Sequence, residues 1–384
     1  MRKIKVGVIG LGMIGPIHIE ALRRLGFIDV VALADNNEEV AQKKAAELCI
    51  DKVYSDFNDL INDPEVESVH ICTPNSLHYP MAKAVIAAGK HVVCDKPLAI
   101  SSEQGAELIQ LAKEKGVVAA MNFNMRRYPL IEQVRQMIAN GDLGEIFAIN
   151  GSYQQDWLQK ETDYSWRLEP ALAGDSRAVA DIGSHWVDSI EYITGLTIDK
   201  VCADFATFYK TRKKPLKPVE TYSGKMLSPE DYQDVPINTE DYATVLMKFS
   251  NGAHGSLTVN QVAAGRKNRM YFEIYGSKAA VAYDSEKCNE LWIGKRDGNN
   301  ETLLKDPSLV YPGAGAIINY PGGHNEGFPD TFKQSFKKIY TFIANDGMKN
   351  NLPVDFPTFE DGLRELVVCE GIVASAKKEA WMDI

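Results

Sequence analysis

Apolar and polar positions alternate in two different rhythms along the chain. Up to about residue 122, short apolar runs rich in β-branched residues are separated by stretches with helical spacing; the runs are Ile4–Ile9, Val30–Ala34, Val69–Cys72, His91–Cys94 and Val117–Met121. Helical sequence continues from the first run through Leu25 and returns at Tyr79–Ala88 and Ser101–Lys115. Strands that alternate with helices predict βαβ units, and therefore a parallel sheet with helices on both faces.

Beyond residue 122 the strand-like runs follow one another directly: Glu145–Gln154, Lys200–Phe208, Tyr242–Phe249, Ala253–Asn260, Met270–Tyr275, Ala279–Tyr283 and Leu291–Ile293. Successive short strands predict a large, open, mostly antiparallel sheet. Tyr209–Asp241 and Asn299–Asn325 are interpreted as insertion loops, the second folding over a substrate, and helices are expected at Pro329–Ala344 and Phe359–Lys377. The predicted fold is α/β, with a doubly wound N-terminal domain (1–122) and a C-terminal α+β domain (123–384).

A glycine turn after the first strand indicates a dinucleotide site. Gly10, Gly12 and Gly15 stand in the pattern Gly-x-Gly-x-x-Gly between a strand and a helix. The first glycine allows a tight turn, the second lets the backbone approach a pyrophosphate, and the third lets the helix pack closely on the strand. The N–H groups of the helix N-terminus, at Met13 and Ile14, are expected to face the phosphates.

Asp35 bears on the identity of the cofactor. It ends the second predicted strand, about 20 residues after Gly15, where an acidic residue binds ribose hydroxyls in Rossmann-type domains. Its carboxylate would repel the 2′-phosphate of NADP, and Asn36 and Asn37 supply no arginine to bind one. NAD is therefore predicted, and NADP is less favoured. The structural alternative, a glycine turn without a nucleotide, does not account for the glycines and the acid together.

Polar residues follow two further predicted strands, where ligands of such sheets bind. Thr73 and Asn75 are expected beside the nicotinamide, and Lys96, after Asp95, is expected to project toward the reacting carbon. His78 has two open interpretations, a cofactor contact or a hydrogen-bonded histidine at the start of a helix. The remaining histidines outside the candidate site are interpreted as structural: His18, His70, His91 and His254.

The stretch Asp181–Asp188 carries the candidate catalytic groups of the second domain. If it is helical, Asp181, His185 and Asp188 lie on one face, because residues at i, i+4 and i+7 align. A histidine beside a carboxylate is suited to proton exchange near neutral pH. A buried ion pair on an amphipathic helix is the alternative. Apolar residues fall on another face and are expected to be buried, namely Ile182, Trp186, Ile190 and Ile193.

Composition excludes several classes of function. The formal net charge of −10 opposes non-specific nucleic-acid binding, and no apolar run reaches the roughly 20 residues of a membrane helix. The six cysteines are widely spaced and lack a Cys-x-x-Cys pair, which disfavours a zinc site and fits reduced thiols. We therefore expect a cytoplasmic protein with no metal, no nucleic-acid partner and no membrane association.

The motifs together resemble the Gfo/Idh/MocA family of NAD(P)-dependent sugar and polyol oxidoreductases, with levoglucosan dehydrogenase-like and inositol dehydrogenase-like members as the nearest. The resemblance rests on Gly10-x-Gly12-x-x-Gly15, Cys72-Thr-Pro-Asn75-x-x-His78, Asp95-Lys96-Pro97, Asn124 with Arg126-Arg127-Tyr128-Pro129, and Asp181-x-Gly183-x-His185-x-x-Asp188. It implies a catalytic trio of Lys96, Asp181 and His185. It also implies cofactor contacts at Asp95 and Asn124, and homo-oligomers, often tetramers, formed through the C-terminal sheet.

Sugar sites need aromatic faces and planar hydrogen-bonding groups. The candidates in the second domain are Tyr128, Gln155, Trp157, Trp166, Arg167 and His324, beside Lys96, Asp181 and His185. The function predicted is reversible oxidation of a secondary ring hydroxyl of a sugar, anhydrosugar or inositol to a ketone, with hydride transfer to NAD. Two alternatives stay open, a ketosugar or anhydrosugar reductase that uses NADPH, and a non-catalytic dinucleotide sensor or co-repressor of the same fold.

Overall fold

The computed structural model describes residues 2–217 and 227–384. The strands of these ranges are β1 Ile4–Ile9, β2 Ile28–Ala34, β3 Lys52–Tyr54, β4 Ser68–Ile71, β5 His91–Cys94, β6 Ala119–Met121, β7 Ile146–Gln154, β8 Ile198–Ala206, β9 Thr211–Pro215, β10 Tyr232–Pro236, β11 Tyr242–Phe249, β12 His254–Asn260, β13 Arg269–Gly276, β14 Ala280–Asp284, β15 Glu290–Gly294, β16 Glu301–Leu304 and β17 Met382–Asp383. The helices are α1 Ile14–Arg23, α2 Glu38–Leu48, α3 Phe57–Asn62, α4 Asn75–Ala87, α5 Ser102–Lys115, α6 Pro129–Ala139, α7 Pro170–Ala173, α8 Ser184–Thr194, α9 Pro312–Gly315, α10 Phe328–Ala344 and α11 Phe359–Lys378.

The chain divides into two compact units. The first comprises Met1–Asn124 and Phe328–Leu366, and the second Met125–Gly327 and Val367–Ile384. This division differs from the predicted domains because the segment 328–366 groups with the first unit. Phe332 and Phe336 of α10 are buried in the same apolar cluster as the β1 side chains. Such a return of the chain over some 200 residues leaves no mark in the local sequence pattern.

The first unit contains a six-stranded parallel sheet in the order β3-β2-β1-β4-β5-β6. This order places β1 and β4 side by side at the point where the strand order reverses, which is where doubly wound sheets bind dinucleotides. The predicted parallel sheet is confirmed. The elements α2, β3 and α3, which lie between the second and third predicted strands, are not among the predicted elements.

The second unit contains a nine-stranded sheet in the order β16-β15-β14-β13-β7-β12-β11-β8-β17. Only β7 and β12 pair in parallel, so the expected open, mostly antiparallel sheet is confirmed. One face is buried, as Ala243, Val245 and Met247 of β11 show, and the intervening Leu246 is 48% exposed. This is the period-two alternation of a sheet with one face on a core.

The stretch Tyr209–Asp241, interpreted as an insertion loop, contains two strands in its described part. β9 and β10 pair antiparallel, and Val235 and Ile237 pack with Leu158 and Leu168 in a small apolar cluster. The strands were not predicted because this stretch is rich in lysine and proline, which are uncommon in strands. Residues 218–226 of the predicted loop lie outside the described residues. The second predicted loop, Asn299–Asn325, likewise contains β16 and α9.

Within the described ranges, no helix is long and apolar enough to cross a membrane. A search of the same residues for three or more His, Cys, Asp or Glu side chains arranged to hold a metal ion found no such group.

Candidate functional site

The glycine turn of the first unit has the geometry of a dinucleotide cradle. Gly10 has φ +90°, and a Cβ on it would lie 2.7 Å from the Cys72 carbonyl oxygen. A Cβ on Gly15 would lie 2.1 Å from the Gly10 carbonyl oxygen, whereas a Cβ on Gly12 would meet nothing within 4 Å. The first and third glycines are therefore required by the protein itself. The second faces open space in front of the N-terminus of α1, which fits a pyrophosphate.

Asp35 holds this turn to the second strand. Its Oδ2 accepts a hydrogen bond from the Leu11 N–H (2.8 Å), and its Oδ1 accepts one from the Asn37 N–H (3.0 Å). The Asn37 side chain caps α2 by accepting from the Val40 N–H. Each carboxylate oxygen can accept a second hydrogen bond, so Asp35 retains the capacity to bind ribose hydroxyls.

His78 connects the two strand ends that carry the predicted nicotinamide-side residues. It is 1% exposed, and its Nδ1 and Nε2 lie 2.6 Å from the Pro97 carbonyl oxygen and 2.9 Å from the Thr73 carbonyl oxygen. Burial lowers the pKa of His78, although both carbonyls oppose this. The turn after β4 is thereby tied to the turn that carries Lys96. This geometry favours the structural interpretation of His78, and its contact with a cofactor stays a prediction.

A buried polar chain leads away from Asp95, the neighbour of Lys96. Asn122 Nδ2 donates to Asp95 Oδ1 (3.0 Å) and lies 3.1 Å from His18 Nε2. His18 Nδ1 lies 2.8 Å from His70 Nδ1, and His70 Nε2 lies 2.7 Å from the Tyr340 hydroxyl. Burial lowers the pKa of His18 to about 4, against an opposing effect of Asp95. The interpretation of His18 and His70 as structural agrees with their complete burial.

Three other predicted cofactor residues lie in the first unit. Asn75 begins α4 and is buried, and Thr73 donates from Oγ1 to the Met81 sulfur at 3.6 Å. Asn124 is also buried and donates from Nδ2 to Thr331 Oγ1 at 2.7 Å. Thr73 and Asn75 follow the carboxyl end of β4, as the sequence predicted, and Asn124 follows β6.

In the second unit, Asp181 and His185 lie on one continuous helical segment. A π-helical turn over Val179–Gly183 runs directly into α8, which ends at Gly195 (φ +68°). Single π-turns are rare and often mark functional sites. The predicted apolar face is confirmed, because Ile182, Trp186, Ile190 and Ile193 are each at most 3% exposed.

Trp186 fixes α8 on the sheet. Its Nε1 donates to the Tyr271 carbonyl of β13 (3.0 Å), and a Cβ on Gly151 of β7 would lie 2.3 Å from that nitrogen. The absence of a side chain at Gly151 thus lets the indole lie directly on the strand. The fully buried indole thus determines how far from the sheet, and in which rotation about its axis, the helical segment with Asp181 and His185 lies.

The Asp181 carboxylate is held from two sides. Arg167 Nε donates to Oδ1 at 3.1 Å, and Gln261 Nε2 donates to Oδ2 at 2.8 Å. His185 is 8% exposed, and its ring centroid lies 6.1 Å from that of Tyr153. Gln261 was not identified from the sequence. It is 80 residues from Asp181, and its position at the end of β12 gave no local signal.

Four of the predicted sugar-binding residues lie together around Asp181. The Arg167 guanidinium lies 4.5 Å from the Trp166 ring centroid and 6.0 Å from that of Trp157. Trp157 Nε1 donates to Gln155 Oε1, and Gln155 Nε2 donates to Asn268 Oδ1, both at 2.8 Å. Asn268, which also accepts from the Tyr153 hydroxyl, was missed by the sequence analysis.

Three other residues singled out from the sequence have different surroundings. Tyr128 is 3% exposed and packs against Tyr283 at 6.0 Å between ring centroids. His324 is exposed on the loop between β16 and α10. Asp188 forms a buried, bidentate ion pair with Arg126 (2.5–3.1 Å). The ion-pair alternative thus describes Asp188, whereas substrate binding by Tyr128 and His324 stays a prediction.

A buried ion pair holds the loop that carries His324. Lys305 Nζ donates to Glu326 Oε2 and to the His324 carbonyl, both at 2.8 Å, and to the Tyr320 carbonyl at 3.1 Å. Both charged side chains are at most 2% exposed. Glu326 Oε1 accepts from the backbone and side-chain nitrogens of Asn319. The two ends of the loop are therefore joined under its exposed tip.

Comparison with known proteins bears on both units. Residues 4–123 match the "oxidoreductase family, NAD-binding Rossmann fold" and residues 131–282 match the "GFO/IDH/MocA C-terminal domain". Levoglucosan dehydrogenase of Pseudarthrobacter phenanthrenivorans is 29% identical over 100% of this chain and 99% of its own length.

Solved structures of similar proteins also cover the whole chain. A levoglucosan dehydrogenase in complex with NADH and L-sorbose has a TM-score of 0.88 at 29% identity, covering 100% of this chain and 99% of that one. An oxidoreductase domain protein from Kribbella flavida has a TM-score of 0.88 at 30% identity, covering both chains completely.

Proposed function

This chain belongs to the Gfo/Idh/MocA family of oxidoreductases, and we propose that it oxidises a secondary ring hydroxyl of a sugar, anhydrosugar or inositol to a ketone, with NAD as the hydride acceptor. The observation that carries the proposal is the fixed carboxylate of Asp181 on the helix of His185, beside an array of aromatic, amide and guanidinium groups. Such groups bind the hydroxyls and the C–H faces of a sugar ring. The glycine cradle and Asp35 of the first unit fit NAD.

The proposed mechanism assigns one task to each member of the trio. NAD, when bound, supplies the hydride acceptor. His185 takes the proton of the reacting hydroxyl as general base, because an alcohol is too weak an acid to ionise unaided at neutral pH. Asp181 orients the imidazole and favours its charged form. Lys96 binds the reacting oxygen and stabilises alkoxide character. Proton transfer to Lys96 itself is the second assignment that the residues allow.

Turnover by variants tests this assignment. Purified protein is mixed with NAD or NADP and a panel of levoglucosan, hexoses and inositols, and NADH or NADPH formation is followed by absorbance. We expect turnover with NAD, and a loss of at least about a hundredfold in His185→Ala, since general-base catalysis contributes about 10²–10⁴-fold. His254→Ala is the matched control, because His254 is an exposed histidine of β12 in the same unit.

Each alternative has its own result in this assay. Wild-type turnover by His185→Ala contradicts the assignment of the base. Cofactor binding in a fluorescence titration without turnover across the panel favours the sensor. Loss of NADPH absorbance when ketosugars are added in a parallel reaction, with no turnover in the oxidising direction, favours the reductase.

A homotetramer formed through the nine-stranded sheet is part of the proposal. Phe147 of β7, Leu246 of β11 and Trp292 of β15 are 54%, 48% and 36% exposed, and a contiguous patch of such side chains would mark an interaction site. Sedimentation velocity measures the assembly directly. A cytoplasmic location is also proposed, supported by the free thiols of Cys49, Cys72, Cys94 and Cys202.

A further inference from the structure

Gln261 joins the candidate catalytic carboxylate to a buried arginine. Its side chain is 0% exposed. Nε2 donates to Asp181 Oδ2 at 2.8 Å, and Oε1 accepts from Arg177 Nη1 at 3.3 Å. Because a guanidinium only donates hydrogen bonds, the amide oxygen must face Arg177 and the amide nitrogen must face Asp181. The orientation of the amide is thus dictated by its two charged neighbours.

Arg177 is itself held rigidly. It is 1% exposed, donates from Nη2 to Asp241 Oδ1 at 2.5 Å and from Nε to Thr239 Oγ1 at 3.2 Å. Arg212 of β9 donates to the same Asp241 oxygen at 2.9 Å. Burial disfavours the ionised form of Asp241, but the two arginines outweigh this and lower its pKa. The anchor of Gln261 is therefore a buried carboxylate shared by two guanidinium groups.

Glu240 fixes the backbone at the start of the same helical segment. Its Oε1 accepts from Ser176 Oγ (2.7 Å) and from the N–H groups of Arg177 and Val179, both at 2.9 Å. An acidic side chain at this position satisfies N–H groups that have no partner within the helix. Thr239, Glu240 and Asp241 together hold both the backbone and the side chains that lead to Asp181.

We propose that Gln261 is a positioning residue for Asp181, and that it acts from the buried group Arg177, Thr239, Glu240 and Asp241. The inference rests on the proposed function, in which Asp181 is catalytic. With Arg167 on Oδ1 and Gln261 on Oδ2, both oxygens of the carboxylate have a donor, so its plane cannot rotate. Glutamine suits this place because its amide donates to Asp181 and accepts from Arg177, whereas glutamate would repel Asp181 and leucine would remove one hydrogen bond from each neighbour.

The first test compares two variants that differ in charge. In Gln261→Leu we expect kcat/KM to fall about ten- to a hundredfold at every pH, since a hydrogen bond to a charged group is lost. In Gln261→Glu the two carboxylates must share a proton, so the loss should be small at low pH and grow as pH rises. Arg167 and Arg177 bind to this pair, Asp241 binds to Arg177, and His185 lies on the same helical segment as Asp181.

Ser375→Ala is the matched control for general loss of packing. Ser375 is a fully buried residue of the same unit whose hydroxyl bonds the Ala203 N–H and the Ala380 carbonyl. We expect this variant to be less stable in urea but to keep its kcat. Gln261→Glu retains an acceptor for Arg177, so it gives a second measurement if Gln261→Leu fails to fold.

A double-mutant cycle with Asp181→Asn decides whether Gln261 acts through Asp181. If it does, Asp181→Asn with Gln261→Leu is no slower than Asp181→Asn alone, within about twofold. Losses that multiply overturn the inference, as does wild-type turnover by Gln261→Leu when Asp181→Asn is impaired. Wild-type turnover by Asp181→Asn itself contradicts the proposed function instead, so the two failures are distinguished.

Discussion

Gly12 and Gly15 should respond in opposite ways to the same added methyl group. On Gly15 the new Cβ would lie 2.1 Å from the Gly10 carbonyl oxygen and 3.2 Å from its carbon, so the turn must move. On Gly12 the Cβ would meet nothing within 4 Å of the protein. Space that is empty in the protein but adjacent to a helix N-terminus is the space we assign to the pyrophosphate. Gly12→Ala should therefore affect binding alone, and Gly15→Ala should affect folding as well.

The expected magnitudes follow from these distances. Overpacking costs about 1–3 kcal/mol, and the 2.1 Å contact with a backbone oxygen calls for the upper end of that range. Alanine is favoured over glycine within a helix by about 1 kcal/mol, so Gly15→Ala should lose about 2 kcal/mol of unfolding free energy. Gly12→Ala should change it by no more than about 0.5–1 kcal/mol, in the stabilising direction if at all. The added methyl group should weaken NADH binding at least about tenfold, which corresponds to about 1.4 kcal/mol.

Two measurements separate the effects. Urea denaturation without cofactor gives the unfolding free energy, and fluorescence titration gives the dissociation constant of NADH. A saturating concentration of NADH should stabilise both proteins, and the gain in Gly12→Ala should be smaller by about 1.4 kcal/mol for a tenfold loss of affinity. Wild-type affinity in Gly12→Ala, or wild-type stability in Gly15→Ala, would refute the placement of the pyrophosphate and the steric reasoning respectively.

Two further predictions concern buried charged and titratable groups. The pKa of His18 is about 4 in the folded protein and 6.5 when unperturbed. As pH falls, the unfolded chain therefore binds a proton at His18 before the folded protein does. The neutral His18 contributes its full stability above about pH 6.5, and about 3 kcal/mol of unfolding free energy is lost as pH falls toward 4. Urea denaturation at a series of pH values should show this slope, and a His18→Gln variant with the same slope would contradict it. Lys305→Met leaves Glu326 buried without its cation and should lower the unfolding free energy by about 3–5 kcal/mol. The double variant Lys305→Met with Glu326→Gln should recover part of that loss. If Lys305→Met is as stable as the wild type, the ion pair contributes nothing to stability.

The predicted cofactor-binding residues rest on local rules alone. The spacing of Gly10, Gly12 and Gly15, the acid at position 35 and the polar ends of two parallel strands are all features of contiguous sequence. The period of the apolar residues likewise predicted the buried face of α8. Each of these depends on a stretch of no more than about 30 residues, within which the geometry of strand, turn and helix is nearly fixed.

The contacts that fix Asp181 could not be found in that way. Gln261 and Asp241 are 80 and 60 residues away in sequence, and Asp241 closes a stretch that was interpreted as a loop. The sequence around Asn268 has no feature that indicates a site residue, and Asn268 reaches Tyr153 and Gln155 only because β13 pairs with β7. The ion pair of Asp188 with Arg126 is of the same kind. Tertiary pairing, which no single segment encodes, decided which polar residues meet.

The imidazole of His78 has a kinetic consequence. A neutral ring has one N–H, so only one of the Thr73 and Pro97 carbonyls accepts a hydrogen bond at a given moment, and the other faces the lone pair of the second ring nitrogen. The turn expected along the nicotinamide and the turn that carries Lys96 thus both contact the His78 ring and should move together. If a bound cofactor orders the turn at Thr73, it therefore also restricts the turn that carries Lys96. Substitutions that loosen this link should raise the KM for NAD and lower kcat in proportion, rather than change either constant alone.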